Sequence, residues 1–486
     1  MNRKWIRIGM LFMVMALVAA ACSNTDSDDT TTTAAAATTT GASAATTTTV
    51  AAASTTTAAP AATTTAAETS GEVAFDIGVT AEPCPEGNPD NGCIYLGILT
   101  DQSGPFQSAS PALVGAQRAF WAAANAAGGI GGAFDVAMPD DLTKDTQYSP
   151  EVFVQQYNDI AGEIAAVGQS LGTSQSIAAL DDMARDSTVA APMSWWSGWA
   201  FDELDKGLII EFGTNYCFEA MNAFDWSMEA VPAAGRPTPT RVGILAIPND
   251  YGADYSAGVK LAAEANGVEV AWESTVIPIS AGGDEAQVEA IQAVLSDPVD
   301  IVYLVTGPSE TAAIVGGAAA QGATNLFIGA APSWNVALLG TPAAPAFEAG
   351  LYFQSAFVGP WAYDSPGHEA MRQTLAAGGI TDEETNDFFV SGWVSQYGLK
   401  AALDQAYASG DLTKAGIAGA AGALSSVSYD GMMPDRDFGG DPNTQFPRMS
   451  LVGAVDVTQP TGIAVVQDFF VGPTAEAFDF TTACAG

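Results

Sequence analysis

The 486-residue chain contains a single histidine, His368, in Asp364-Ser365-Pro366-Gly367-His368-Glu369. A Ser/His/Asp or Cys/His catalyst would have to be built on it, and a multi-histidine zinc site cannot be assembled within one chain. Its place before the helical run Glu369 to Leu375 marks it as a surface residue at a helix start. No EF-hand spacing and no Walker sequence occurs, and Gly129-Ile-Gly131-Gly132 follows a helix rather than a strand. These residues predict no enzyme, no metal site and no cofactor.

Cysteine is the other chemically informative type. Cys22 closes the run Ala19-Ala20-Ala21-Cys22, which follows Arg3, Lys4, Arg7 and the apolar stretch from Ile8 to Val18. A basic start, a short apolar run and a small-residue end read as an export signal, too short for a stable membrane span. Outside the cytoplasm the even set Cys84, Cys93, Cys217 and Cys484 favours two disulfides. Cys84 and Cys93 flank a turn-rich loop that a bridge would staple, leaving Cys217–Cys484 to tie the C-terminus to the body.

Charge narrows the partners. The chain has 15 Lys+Arg against 55 Asp+Glu, a formal net of −40. Such a surface repels nucleic acid and lacks the basic stripe that phosphate neutralisation needs. Its carboxylates are dispersed, the pattern expected where high salt screens mutual repulsion. Ser23 to Ser70 holds 19 Thr and 16 Ala with no Lys, Arg or aromatic residue. Too little apolar surface is available there to offset chain entropy, so a disordered tether is expected over 22–70.

The remainder must supply the scaffold, and it alternates strand and helix. Cys93–Thr100, Ala133–Met138, Ala165–Gly168 and Thr188–Ala191 read as strands, with helices at Pro111–Ala127, from Ser149-Pro150 onward, and at Gln175–Arg185. After a Pro-rich break at 231–239 the rhythm restarts, with strands at Arg241–Ile247, Val268–Ser274, Ile301–Val305 and Leu326–Gly329. Helices fall between them at Asp254–Ala265, Glu285–Leu295 and Glu310–Gln321. Two β/α series imply two parallel-sheet lobes, with ligand expected beyond the carboxyl ends of the strands.

Several of these segments resemble the leucine/isoleucine/valine-binding family, the type I periplasmic solute receptors of ABC importers. They are Gly97-Ile-Leu-Thr-Asp-Gln-Ser-Gly-Pro105, Asn125 to Gly132, Gly168 to Ser176, Asn249-Asp-Tyr-Gly252 and Ser391 to Tyr397. The resemblance covers roughly 93–470. It implies an α/β fold of two doubly wound parallel-sheet lobes joined by a three-crossing hinge, near Phe212–Tyr216, Gln354–Val358 and Pro434–Gly440. The resulting organisation is a lipoprotein signal peptide (1–21), the tether (22–70), a disulfide-stapled lead-in (71–92), lobe 1 (93–214 and 355–437) and lobe 2 (215–354 and 438–486).

The family holds a solute carboxylate with hydroxyls and helix N-termini after strands three and four. Carried over, those positions are Thr173, Ser174 and Ser194, with Gly172 where a serine is usual. Trp195, Trp196, Tyr251 and Trp334 would face an apolar end of the solute. The glutamate that amino-acid receptors offer to the ammonium corresponds to Ala331, with Asp101, Asp250 and Glu310 as replacements from neighbouring loops. Taken together, these features imply an exported solute-binding protein, monomeric and lipid-anchored at Cys22 on the outer face of the cell membrane. It would pass a branched-chain amino acid or a related amide or carboxylate to ABC permease subunits. A sensory receptor serving a separate signalling partner is the alternative.

Overall fold

The strand β1 (Gly92–Thr100) is buried at every residue but Tyr95, as a run apolar on both faces requires when helices cover both sides of a sheet. It pairs in parallel with β2 (Phe134–Ala137), with Thr143–Asp145 and with β3 (Ala166–Leu171), and β3 pairs with β4 (Ala190–Met193). Val79–Thr80 closes one edge antiparallel. Helix α1 (Ser110–Ala126) follows β1 and stops at Gly128 and Gly129, whose φ values are +116° and +68°. A Cβ at Gly129 would stand 2.2 Å from the Phe134 carbonyl oxygen, so glycine alone makes this turn. Helix α2 (Pro150–Ile160) starts at Ser149, whose hydroxyl accepts the Val152 N–H, and α3 (Thr173–Asp186) starts directly after β3.

The structure, a computed structural model, describes residues 73–485. The expected signal peptide, the expected acylation site Cys22, the expected tether and the first two residues of the lead-in lie outside the described residues. The described residues form one compact unit.

The second lobe begins with α4 (Tyr216–Ala233), N-capped by Asn215 and mostly buried. It was not anticipated from the sequence, because its apolar residues surround the helix and Pro232 sits in its last turn. Then come β5 (Arg241–Ala246), α5 (Asp250–Asn266), β6 (Glu269–Thr275), α6 (Asp284–Ser296), β7 (Ile301–Val305), α7 (Pro308–Ala320), β8 (Leu326–Gly329) and β9 (Tyr352–Ala356). The chain next returns to the first lobe with α8 (Pro366–Ala377), α9 (Asp387–Val394), α10 (Gln396–Ser409) and α11 (Lys414–Gly422). Gln396 fixes this return by accepting from Trp121 Nε1 at 2.8 Å and donating to the Gly168 carbonyl at 2.9 Å. Finally β10 (Ser450–Val455) and β11 (Ile463–Phe470) complete a sheet of order β11-β10-β9-β8-β7-β5-β6. Its β5 to β9 are parallel, whereas β10 and β11 add antiparallel, so the expected all-parallel sheet has a mixed edge.

The chain therefore crosses between lobes three times. Glu211, in the first crossing, and Arg436, in the third, form a buried ion pair at 3.1 Å. Burial pushes the Glu211 carboxyl up to about 8, against the pull of Arg436. Cys84–Cys93 and Cys217–Cys484 are both disulfide-bonded, and the second joins the C-terminal tail to α4.

His368 corrects the sequence reading. It lies at the start of α8 but is wholly buried. Nδ1 meets the Ser365 hydroxyl at 2.8 Å and Nε2 meets the Gly359 carbonyl at 3.0 Å. A carbonyl can only accept, so Nε2 carries the proton and Nδ1 accepts. Burial lowers its pKa to about 4, and the neutral ring pins the Gly359 loop to α8.

Candidate functional site

A cavity lies between the lobes, with both contributing to its walls. The first lobe supplies the loops after β3 and β4, through Leu171, Gly172, Met193 and Trp195, and the start of α9. The second supplies Tyr216 at the start of α4, Tyr251 at the start of α5, and Ala331, Pro332 and Trp334 after β8. The second crossing, Phe357–Pro360, runs along one side. About 90 Å³ is open to water centres, room for several waters or the body of a small solute.

The walls are aromatic and interlocked. Trp195 packs on Phe357 at 4.4 Å between ring centroids and edge-on to Phe212 at 5.2 Å. Tyr251 tilts against Tyr216 at 4.7 Å, and its hydroxyl donates to the Thr306 carbonyl at 3.3 Å. Trp334 stacks on Tyr352 at 5.5 Å and donates from Nε1 to the Thr461 carbonyl at 2.9 Å. Trp195, Tyr251 and Trp334 are thus the sequence-predicted site residues that reach the cavity.

The other four are placed elsewhere. Trp196 follows Trp195 in extended backbone, so the two side chains leave on opposite sides. Its Nε1 donates to the Ala485 carbonyl at 2.8 Å, and its ring meets Trp199 edge-on. The Ser194 hydroxyl accepts from Trp199 Nε1 at 3.2 Å. Thr173 is buried at the start of α3 with no partner for its hydroxyl. Ser174 donates to Asp250 at 2.5 Å, across the lobes. The Gly172 that precedes them has φ +100°, and a Cβ there would stand 2.2 Å from Gln175 Oε1 and 2.9 Å from the Tyr148 ring. A serine could not occupy that position without moving both neighbours.

The contact from Ser174 to Asp250 has companions. Asn249 donates to the Tyr148 hydroxyl at 3.3 Å, and the Ser197 N–H donates to Asp254 at 3.0 Å. All three second-lobe partners flank or occupy the first turns of α5. Asp254 is wholly buried, and burial pushes it up to about 7 against the hydrogen bonds from Ser197.

The proposed ammonium partners are likewise occupied. Asp101 accepts from the Gly104 and Phe106 N–H groups at 2.5 and 2.7 Å, and Glu310 accepts from the Ile279 N–H at 2.8 Å. Neither they nor Asp250 lines the cavity. At Ala331 the backbone N–H donates to Glu219 Oε1 at 2.7 Å, and the Ser355 hydroxyl donates to the same oxygen at 2.6 Å. Burial pushes Glu219 up to about 8. Asp387 at the start of α9 does line the cavity, and its Oδ1 accepts the Trp361 N–H at 2.8 Å. Burial pushes it up to about 6. The sequence reading missed Glu219, Asp387, Tyr216, Gln354 and Phe357. A lone acid within the apolar run Tyr216 to Phe224, and an acid directly after the helix cap Asn386, were the available signals for the first two.

Among the described residues no group of three or more His, Cys, Asp or Glu side chains could hold a metal ion. No described helix is long and apolar enough to cross a membrane.

A family model described as periplasmic binding protein matches residues 93–475. No curated protein sequence matches the chain. Among solved structures, a fatty acid ABC transporter substrate-binding protein from Thermomonospora curvata is similar with a TM-score of 0.74 at 23% identity. That match covers 85% of this chain and 98% of the other. A branched chain amino acid ABC transporter protein from Thermus thermophilus with bound valine gives 0.64 at 14% identity, covering 79% and 98%. A solute binding protein from R. palustris in complex with 4-hydroxybenzoate gives 0.61 at 13%, again covering 79% and 98%.

Proposed function

Because the chain belongs to the periplasmic binding protein family, the substrate-binding proteins of ABC transporters, we propose that it captures a small organic solute of largely apolar body and delivers it to importer permease subunits. The observation that carries this reading is the aromatic cavity between the lobes, built from both of them and thus completed only when they close. Burying a side chain the size of leucine there contributes about 1.5–3 kcal/mol. The solute classes implied by the sequence, a branched-chain amino acid or a related amide or carboxylate, share such a body. So do the fatty acid, valine and 4-hydroxybenzoate named for the similar structures. With Thr173, Ser174 and Ser194 outside the cavity, apolar contact rather than carboxylate capture does most of the selecting. The lobes are taken as 93–214 with 355–437, and 215–354 with 438–486. The mature protein works as a monomer held on the outer face of the cell membrane by a lipid on Cys22, at the end of its Thr/Ala tether.

A thermal-shift screen of residues 71–486 against amino acids, amides, aromatic acids, fatty acids and amines tests the solute class. Hits should be apolar-bodied and should disappear in Ala331→Trp, which fills the cavity. Hits confined to sugars or polyamines would overturn the reading. Scattering profiles with and without a hit should show closure. Cys22→Ala should leave the membrane fraction, and its retention there would refute the anchor.

A further inference from the structure

Resting on that cavity reading, we propose that Asp387 reads a protonated amine, so that the solute is an apolar body carrying one cationic nitrogen and no compensating carboxylate. Among the described residues lining the cavity, Asp387 is the one carboxyl, and no lysine or arginine accompanies it. A carboxylate solute would enter with its charge unpaired and beside a second acid, which is costly in a desolvated site. An ammonium would instead gain a partner. Asp387 receives one backbone N–H, from Trp361, and the Thr461 hydroxyl lies beside it. A carboxylate has lone pairs for about four donors, so room is left for an ammonium.

Two independent features favour the same charge. The lining is rich in tryptophan, tyrosine and phenylalanine, and the face of such a ring attracts a cation. The chain as a whole carries −40, a field that enriches cations at a cleft and repels anions. Arg372 does not line the cavity and donates instead to the Trp361 and Tyr363 carbonyls and to Glu369. Of the hydroxyls expected to hold a solute carboxylate, Ser174 and Ser194 are engaged within the protein, and Thr173 does not line the cavity.

Calorimetric titration with phenethylamine, phenylacetamide and phenylacetate, which share a benzyl body, and with octanoate as an alkyl acid tests this. The wild-type protein should bind the amine at least about tenfold more tightly than phenylacetate. Asp387→Asn keeps the Oδ1 acceptor for Trp361, and should weaken the amine about tenfold while changing phenylacetamide by less than about threefold. Tighter binding of either acid by the wild type overturns the proposal but leaves the apolar cavity standing, provided Ala331→Trp abolishes it. An amine affinity unchanged in Asp387→Asn also overturns it, as does failure of all four probes to bind. The wild-type ranking needs no variant, so a poorly folded Asp387→Asn does not protect the idea. If the broader screen is empty too, the cavity reading falls with it.

Discussion

The cavity and the contact zone beside it are built from adjacent residues and do opposite work. Trp195, Tyr251 and Trp334 line the cavity, with Asp387 the only acid among its described lining residues. A few residues away, Ser174, Ser197 and Tyr148 of one lobe meet Asp250, Asp254 and Asn249 of the other in direct hydrogen bonds. Polar groups of the contact zone, Tyr148 also lining the cavity, link the lobes, and the cavity walls are largely apolar. Of the hydroxyls that the family resemblance assigns to ligand, Ser174 is spent across the lobes on the Asp250 side chain and Ser194 on Trp199 of its own lobe.

The largest effect separating the two regions should come from Trp334→Ala. The ring packs on Tyr352 and Phe347 and bonds the Thr461 carbonyl, so its loss should cost about 3–5 kcal/mol by denaturant unfolding. A loss below about 1 kcal/mol would mean the cavity wall is not part of the core.

Next in size is the response to pH. Burial raises Asp205 to about 7, Glu211 and Glu219 to about 8, Asp254 to about 7 and Asp387 to about 6. A carboxyl with a folded pKa above its unfolded value binds its proton more tightly in the folded state. Its contribution is therefore full below about pH 4 and lost as pH rises through the folded values. His368, at about 4 in the fold against 6.5 otherwise, acts in the other direction between those values. Five carboxyls outweigh one imidazole, so the melting temperature should fall as pH goes from 5 to 8. A rising curve would show that these acids are better solvated than their burial implies.

A smaller and more selective effect is expected at the mouth. Asp250→Ala removes the acceptor for Ser174 and should weaken solute affinity about tenfold, by disfavouring closure. Global stability should change by less than about 1 kcal/mol. Scattering should then report a more open unliganded protein, and an unchanged profile with unchanged affinity would deny the contact its role. The smallest change belongs to Thr173→Val. Its hydroxyl is buried without a partner, so affinity should stay within about twofold of the wild type. A tenfold loss would return Thr173 to the ligand.

Much of the fold was legible because its signals are local. Runs such as Cys93–Thr100 and Ile301–Val305 are apolar on both faces, and glycine pairs and Ser-Pro starts punctuate the helices between them. Helix α4 escaped notice since it is buried on nearly all sides and shows no stripe. The site was less legible. Trp195 and Trp196 have the same chemistry and adjacent numbers, and backbone direction alone sends one inward and the other to the C-terminal tail. His368 looked like a surface residue because nothing nearby in sequence announces that Gly359 will close over it.

The sequence by itself determined the two β/α series, an even set of cysteines in the body, a single histidine and the strongly acidic composition, since composition, periodicity and spacing are properties of the chain. Only the tertiary structure decided that the Ser174 hydroxyl meets the opposite lobe and the Ser194 hydroxyl its own. It also decided that an acid from α9 enters the cavity while one from α4 is placed beneath Ala331. These outcomes depend on contacts between residues more than a hundred positions apart, such as Glu219 with Ala331 and Trp195 with Phe357. No local pattern encodes a direction in space; packing two lobes against each other supplies it.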